Sequence, residues 1–390
     1  MAKQKSVFRK PTLTRADSGE RKVSWLELYF DLFFVVIMYY LVHELAYDLS
    51  ATNLFHYTLM FICAWWLWIG YTYYKEMFEN HGLEIRIFTF LYMIPVAGLA
   101  VFSHNAMGEN FIYFVWSYVI ARIIQTGAWL HAALQNRETE KIAQRFIIGS
   151  IIAVLLSVLA TTLPPEQRVY MFAFALFVDF IAPFFTMRHQ RKLAFNLSRL
   201  PERIGLFVII IIGEIVRGVI NYLSTTPNGI TSEYLVIAFL GFALSYGIWS
   251  SYFDFIADKS LDNNIDKTFL WGYLHIILLY ALTLIGAILL KIDFENITQA
   301  NLTLSAYFIA GLTLFLLTLG ILGKVLNTKN DVSLKKRANA KLILGIVFII
   351  FGLFAYDQSI MVLFGGAVII LFAQMIYSIK VWKRILDDNQ

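Results

Sequence analysis

Residues 25–46 read WLELYFDLFFVVIMYYLVHELA. A helix needs roughly 20 mostly apolar residues to cross a bilayer, and this stretch meets that length while carrying two acids, Glu27 and Asp31. The same reading, extended along the chain, yields twelve candidate spans: 25–46, 54–74, 86–103, 110–133, 146–163, 168–187, 203–223, 233–253, 269–290, 302–323, 341–357 and 359–379. Only Asp357 and Gln358 mark the turn between the last two. Composition agrees: 59% of the 390 residues are hydrophobic and 15% charged, with a mean hydropathy of +0.65. A soluble domain carries about 25% charged residues and needs polar surface to face water. The expected fold is an all-α polytopic membrane helix bundle with about 12 transmembrane helices.

Loop charge sets the orientation. Of the 32 lysines and arginines, all but four flank the spans on the side of the N-terminus. Arg168 and Lys291 fall on the other side, and Arg122 and Arg217 fall inside spans. By the positive-inside rule both termini are expected in the cytoplasm. Trp25, Trp129, Trp249, Trp271 and Trp382 lie near the inner ends, as in an interfacial aromatic belt. The net charge of +5 therefore points to the inner membrane surface and not to nucleic acid. The organisation expected is a solvated basic tail at 1–22 with no cleavable signal, a transmembrane domain at 23–379 and a cytoplasmic tail at 380–390. The lone Cys63 excludes a disulfide framework. A weak parallel between Glu27 with Trp66 and Glu202 with Trp249 raises a possible 6+6 pseudo-repeat.

Ionisable residues inside spans are costly and usually face the bundle or a wet cavity. Glu27 and Asp31, four apart, share a helix face. Such a pair can hold a proton or cation; alternatively, an acid at Glu27 complements the helix dipole. Glu214 lies in mid-span with Arg217 three residues on, either a coupling pair or a structural ion pair with Gly213 and Gly218 allowing close packing. Arg122 is expected to neutralise Glu214 or Asp179. His275 is either a titrating site or a packed histidine. Asp254 closes its span near the interface, Glu202 and Arg203 mark a helix entry, and His43 with Glu44 reads as an outer rim. Trp65, Trp66 and Trp68 line a ligand path or simply pack. His81 and His104 are loop residues. No HExxH, CxxC or GxSxG pattern occurs, so neither a metal nor a cofactor is expected.

The stretch Ser24 to Val36 with His43, and the stretch Glu202-Arg203-Ile204-Gly205-Leu206-Phe207 through Gly213-Glu214, resemble the two signatures of the bacterial low-temperature-requirement A (LtrA) family. Trp65-Trp66, Arg86 with Met93, Arg122, Tyr252-Phe253-Asp254 and His275 also match it. Ile215 stands where the family often has Ser, and Ser198 with Arg199 where it often has His. The resemblance implies a multi-pass protein of the bacterial cytoplasmic membrane linked by name to growth in the cold, without supplying a mechanism.

From the residues, the leading expectation is an ion- or proton-coupled secondary transporter of an unidentified small solute, in the bilayer and open to oligomerisation. The alternatives are a membrane-state sensor or scaffold, and a membrane-embedded enzyme using Glu27, Asp31, Asp254 and His275 on a lipid-like substrate. A shared site requires Asp31, Arg122, Glu214 and His275 to converge. The orientation has its own test. In intact cells, a membrane-impermeant maleimide should label cysteines introduced at Asp48 and Asn296, and spare those at Ser18 and Asn389; the reverse pattern inverts the topology.

Overall fold

The computed structural model describes residues 11–14, 23–79, 82–191, 199–224, 231–257, 265–292, 301–326 and 331–388. His81, Lys192, Lys259 and most of the basic tail lie outside the described residues. Twelve helices among the described residues are long and apolar enough to cross a membrane. They are α1 (Trp25–Tyr47), α2 (Ala51–Met77), α3 (Leu83–Val101), α4 (Phe111–Gln135), α5 (Glu140–Thr162), α6 (Pro165–Ile181), α7 (Leu200–Ser224), α8 (Ser232–Tyr252), α9 (Ile265–Lys291), α10 (Leu302–Leu326), α11 (Val332–Ala355) and α12 (Ile360–Asp388). A 3-10 turn, Ala182–Phe185, prolongs α6, and a π-helical turn, Phe253–Ala257, prolongs α8.

Helix ends follow local chemistry more than hydropathy. Ser24 and Glu27 form a capping box at α1: Glu27 Oε2 accepts from the Ser24 backbone N–H at 2.8 Å and from its hydroxyl at 2.7 Å. Pro165 opens α6, where its missing N–H costs no hydrogen bond. Asp331 caps α11 by accepting from Leu334 N–H at 3.1 Å. The apolar run there begins only at Lys341, so hydropathy placed the start of this helix too late. Large apolar side chains such as Phe239, Leu353, Phe354 and Ile369 are exposed, as befits helices whose outer solvent is lipid.

The chain divides into two compact units. One comprises Met1–Glu44, Ala51–Arg203 and Asn263–Asp266; the other comprises Leu45–Ser50, Ile204–Asp262 and Lys267–Gln390. In the first unit α4 packs on α3 and α5, α5 on α6, and α2 on α3, α4 and α6. In the second, α10 packs on α11, and α12 on α8 and α11. Part of the expected solvated tail is instead docked. Thr12–Leu13 pairs antiparallel with Phe78–Glu79, Thr14 N–H donates to the Met77 carbonyl, and Asn136 donates to the Pro11 carbonyl. The pairing satisfies backbone groups beyond the end of α2 that would otherwise need water.

Glycine permits close helix approach at Gly218, where an added Cβ would lie 2.7 Å from Leu289 Cβ, whereas a Cβ at Gly213 would meet nothing within 4 Å. The packing role expected of both therefore belongs to Gly218 alone. Gly218→Val should destabilise the protein by about 1–3 kcal/mol through overpacking, with Gly213→Ala nearly neutral. Thermal unfolding in detergent measures both, and equal effects would refute the distinction.

Candidate functional site

A charged network sits at the N-terminal turn of α1. Glu27 is fully buried and Asp31 nearly so. Arg199, immediately before α7, and Arg203, in its first turn, come from one side, and the last turn of α2 brings Lys75 and Glu76. Arg203 Nη2 donates to Asp31 Oδ1 at 2.6 Å, and Trp68 Nε1 donates to the same oxygen at 2.8 Å. Arg203 Nη1 lies 3.4 Å from Glu27 Oε1. Arg199 reaches Glu27 Oε2 at 3.4 Å, Glu76 Oε1 at 3.0 Å and the Lys75 carbonyl at 3.1 Å. Cations at a helix N-terminus oppose the helix dipole, so Arg199 and Arg203 are held there by the carboxylates. Three acids face three bases, and burial costs several kcal/mol per ion unless each is so matched. The network has loose ends: Asp31 Oδ2 and Arg203 Nε are buried without a hydrogen-bond partner among the described residues.

A second network lies between α4 and α6. Arg122 Nη2 donates to Asp179 Oδ1 at 2.5 Å, the Tyr118 hydroxyl donates to Oδ2, and Arg122 Nη1 donates to Gln125 Oε1. Gly70 makes room for it, since a Cβ there would lie 2.3 Å from Gln125 Nε2. Both oxygens of Asp179 are engaged, which suits a structural pair. Of the two partners expected for Arg122, the structure provides Asp179. Stacked rings lie between the networks. Tyr71 and Tyr92 are 5.8 Å apart with Phe30 beside both. Tyr71 interacts electrostatically with Arg203, Glu27 and Asp31, and Tyr92 with Arg122 and Asp179. Within this unit Asp31 and Arg122 thus belong to two networks and do not share one site. Trp65 and Trp66 are buried packing, with Trp66 against Phe180. At the opposite end of α1, Glu44 accepts from His104 Nδ1 at 3.0 Å and from the Asn105 N–H, while exposed His43 stacks on Tyr39.

In the second unit Glu214 pairs with Arg217 at 2.7 Å along α7. His275 is buried and has both ring nitrogens engaged, Nδ1 with the Trp271 carbonyl at 2.7 Å and Nε2 with the Tyr252 hydroxyl at 3.1 Å. Asp254 is exposed and accepts from Ser250 at 2.5 Å. Glu202 is exposed, whereas its neighbour Arg203 turns inward as the main counter-charge. Sequence reasoning missed Arg199, Glu76, Arg337 and Lys341. The three basic residues were counted among the loop charges and Glu76 was not singled out, because nothing local distinguishes a basic residue that snorkels from one that turns inward. The i,i+4 spacing of Arg199 with Arg203 and of Arg337 with Lys341 was the available signal.

These positions sit inside a wider similarity. Residues 22–378 match the family described as "Bacterial low temperature requirement A protein (LtrA)". The chain belongs to this family. It is 24% identical over 286 residues to a protein of Rhizobium meliloti (strain 1021) named "Uncharacterized protein RA0937", covering 68% of each chain. No solved structure matches. Family membership and twelve apolar helices together make this LtrA protein an integral, multi-pass membrane protein. Arg122→Met should destabilise it by about 3–5 kcal/mol, because Asp179 is left buried and uncompensated. Arg122→Met with Asp179→Leu should recover most of that loss in thermal unfolding. A double variant as unstable as the single would show that the pair is not the closed unit described.

Proposed function

We propose that this LtrA protein is a proton-coupled secondary transporter of a small solute, with Asp31 as the proton-binding group and Arg203 as its counter-charge. The observation carrying this reading is the half-satisfied Asp31 carboxylate: Oδ1 takes both Arg203 and Trp68, and Oδ2 has no hydrogen-bond partner among the described residues. A proton arriving at Oδ2 cancels the charge that holds Arg203. Arg203 then loses its shorter ion pair and keeps the longer one to Glu27. Because Arg203 sits in the first turn of α7, protonation releases the start of the helix that also carries Glu214 and Arg217. The named neighbours of Asp31 are N–H donors, which suit a proton better than a metal cation, since hard cations need several oxygen ligands.

Glu27 plays a holding role, capping α1 and retaining Arg199 and Arg203. Arg122 and Asp179 supply the rigid frame. The cytoplasmic membrane with both termini inside completes the reading, from the loop-charge asymmetry. Lipid chemistry at His275 fits less well, because a general base needs a free ring nitrogen and both are occupied.

Protein reconstituted in liposomes loaded with a pH-sensitive dye provides the test, with candidate metabolites applied in pools. Substrate-dependent proton movement should fall at least tenfold in Asp31→Asn, an isosteric change that keeps the Trp68 hydrogen bond, while size-exclusion behaviour stays unchanged. Wild-type proton movement in that variant would overturn the assignment.

A further inference from the structure

We propose that Arg337 and Lys341 on α11 form a binding site for a phosphate group. The two residues are one helical turn apart and on one face. Lys341 is fully buried and its ammonium has no hydrogen-bond acceptor among the described residues. Arg337 is nearly buried; its Nη2 donates to the Asp254 backbone carbonyl and its Nε has no acceptor. Both stand over one ring: Lys341 Nζ is 3.8 Å and Arg337 Cζ is 5.1 Å from the Phe255 centroid.

These contacts do not balance the charge. A desolvated cation–π contact offsets only part of the cost of burying an ion, and the two cations repel each other. The carboxylates that interact with them electrostatically, Asp254 and Asp331, are engaged elsewhere. Asp254 is exposed and bonded to Ser250, and Asp331 caps α11. A lysine at the edge of an apolar run ordinarily extends toward the headgroups, but Lys341 turns inward. Among the described residues the site therefore lacks an anion.

The chemistry specifies which anion. A guanidinium fork beside an ammonium is a pairing suited to phosphate oxygens. Exposed Lys335 and Lys336 on the same helix raise the local concentration of anions. The position at the border of the apolar run is headgroup depth, so the phosphate belongs either to an anionic phospholipid or to a soluble phosphate compound. Phe255 covers the ammonium, and occupancy requires that ring to move. It is carried on the π-helical turn Phe253–Ala257, a winding frequent at functional sites. Gly323 gives it room, since a Cβ there would lie 2.3 Å from Phe255 Cζ.

The test uses the full-length protein in neutral detergent. Its Tm is followed with added phosphatidylglycerol, phosphatidylcholine, or inorganic phosphate against chloride of equal ionic strength. Wild type should gain several degrees with phosphatidylglycerol and not with phosphatidylcholine. The gain should vanish in Lys341→Met and shrink in Arg337→Gln. A gain with phosphatidylglycerol alone assigns a lipid headgroup, and a gain with inorganic phosphate as well assigns a soluble phosphate compound; either supports the site. No gain from either source, or an undiminished gain in both variants, overturns it.

Discussion

Placing charge inside an apolar bundle is the constraint on which the rest of this structure depends. A buried ion costs several kcal/mol unless a counter-charge and hydrogen bonds meet it, and here ions recur along α1, α4, α6, α7 and α11. The meeting of α1, α2 and the start of α7 in the first unit follows from it. Two arginines at the N-terminus of α7 oppose the helix dipole, and Glu27, Asp31 and Glu76 make that placement tolerable. The capping box at Ser24 holds Glu27 in the same position in which it meets the arginines, so local and tertiary demands on that residue agree.

The ionic groups differ in how completely they are satisfied. Asp179 has Arg122 on one oxygen and Tyr118 on the other, and reads as framework. His275 is likewise closed between Trp271 and Tyr252. Among the described residues, Asp31 has one oxygen idle and Lys341 has no acceptor. An incomplete buried polar group raises the energy of the state that contains it, so that state can be shifted by a proton in one case or an anion in the other. The proposed functions rest on this contrast.

Membership of the LtrA family fits this division. The resemblance rested on charged positions in α1 and α7, and those helices meet in the first network. The family match carries no chemistry with it; the roles of Asp31 and Arg203 come from their geometry. Glu214 with Arg217, singled out for the same reason, forms a neighbouring-turn pair on α7, a simpler arrangement than the network at Asp31.

Twelve helices were legible in the chain because hydropathy is a local property and a spanning helix needs no distant residue to satisfy its backbone. The cost of intramembrane charge was local too, so Asp31, Arg122, Asp179, Glu214 and His275 stood out without a structure. What each charge meets was not local. Arg203 and Asp31 are 172 residues apart, and no spacing rule joins them. The inward turn of Lys341, the docking of Thr12–Leu13 on Phe78–Glu79 and the separation of Asp31 from Arg122 also depend on which helix faces lie together. Hydropathy along the chain thus marks the twelve helices and five of their costly charges. Which of those costs are met and which are left open follows from the packing of distant segments, because counter-charges act over a few ångströms in space and at any distance along the chain.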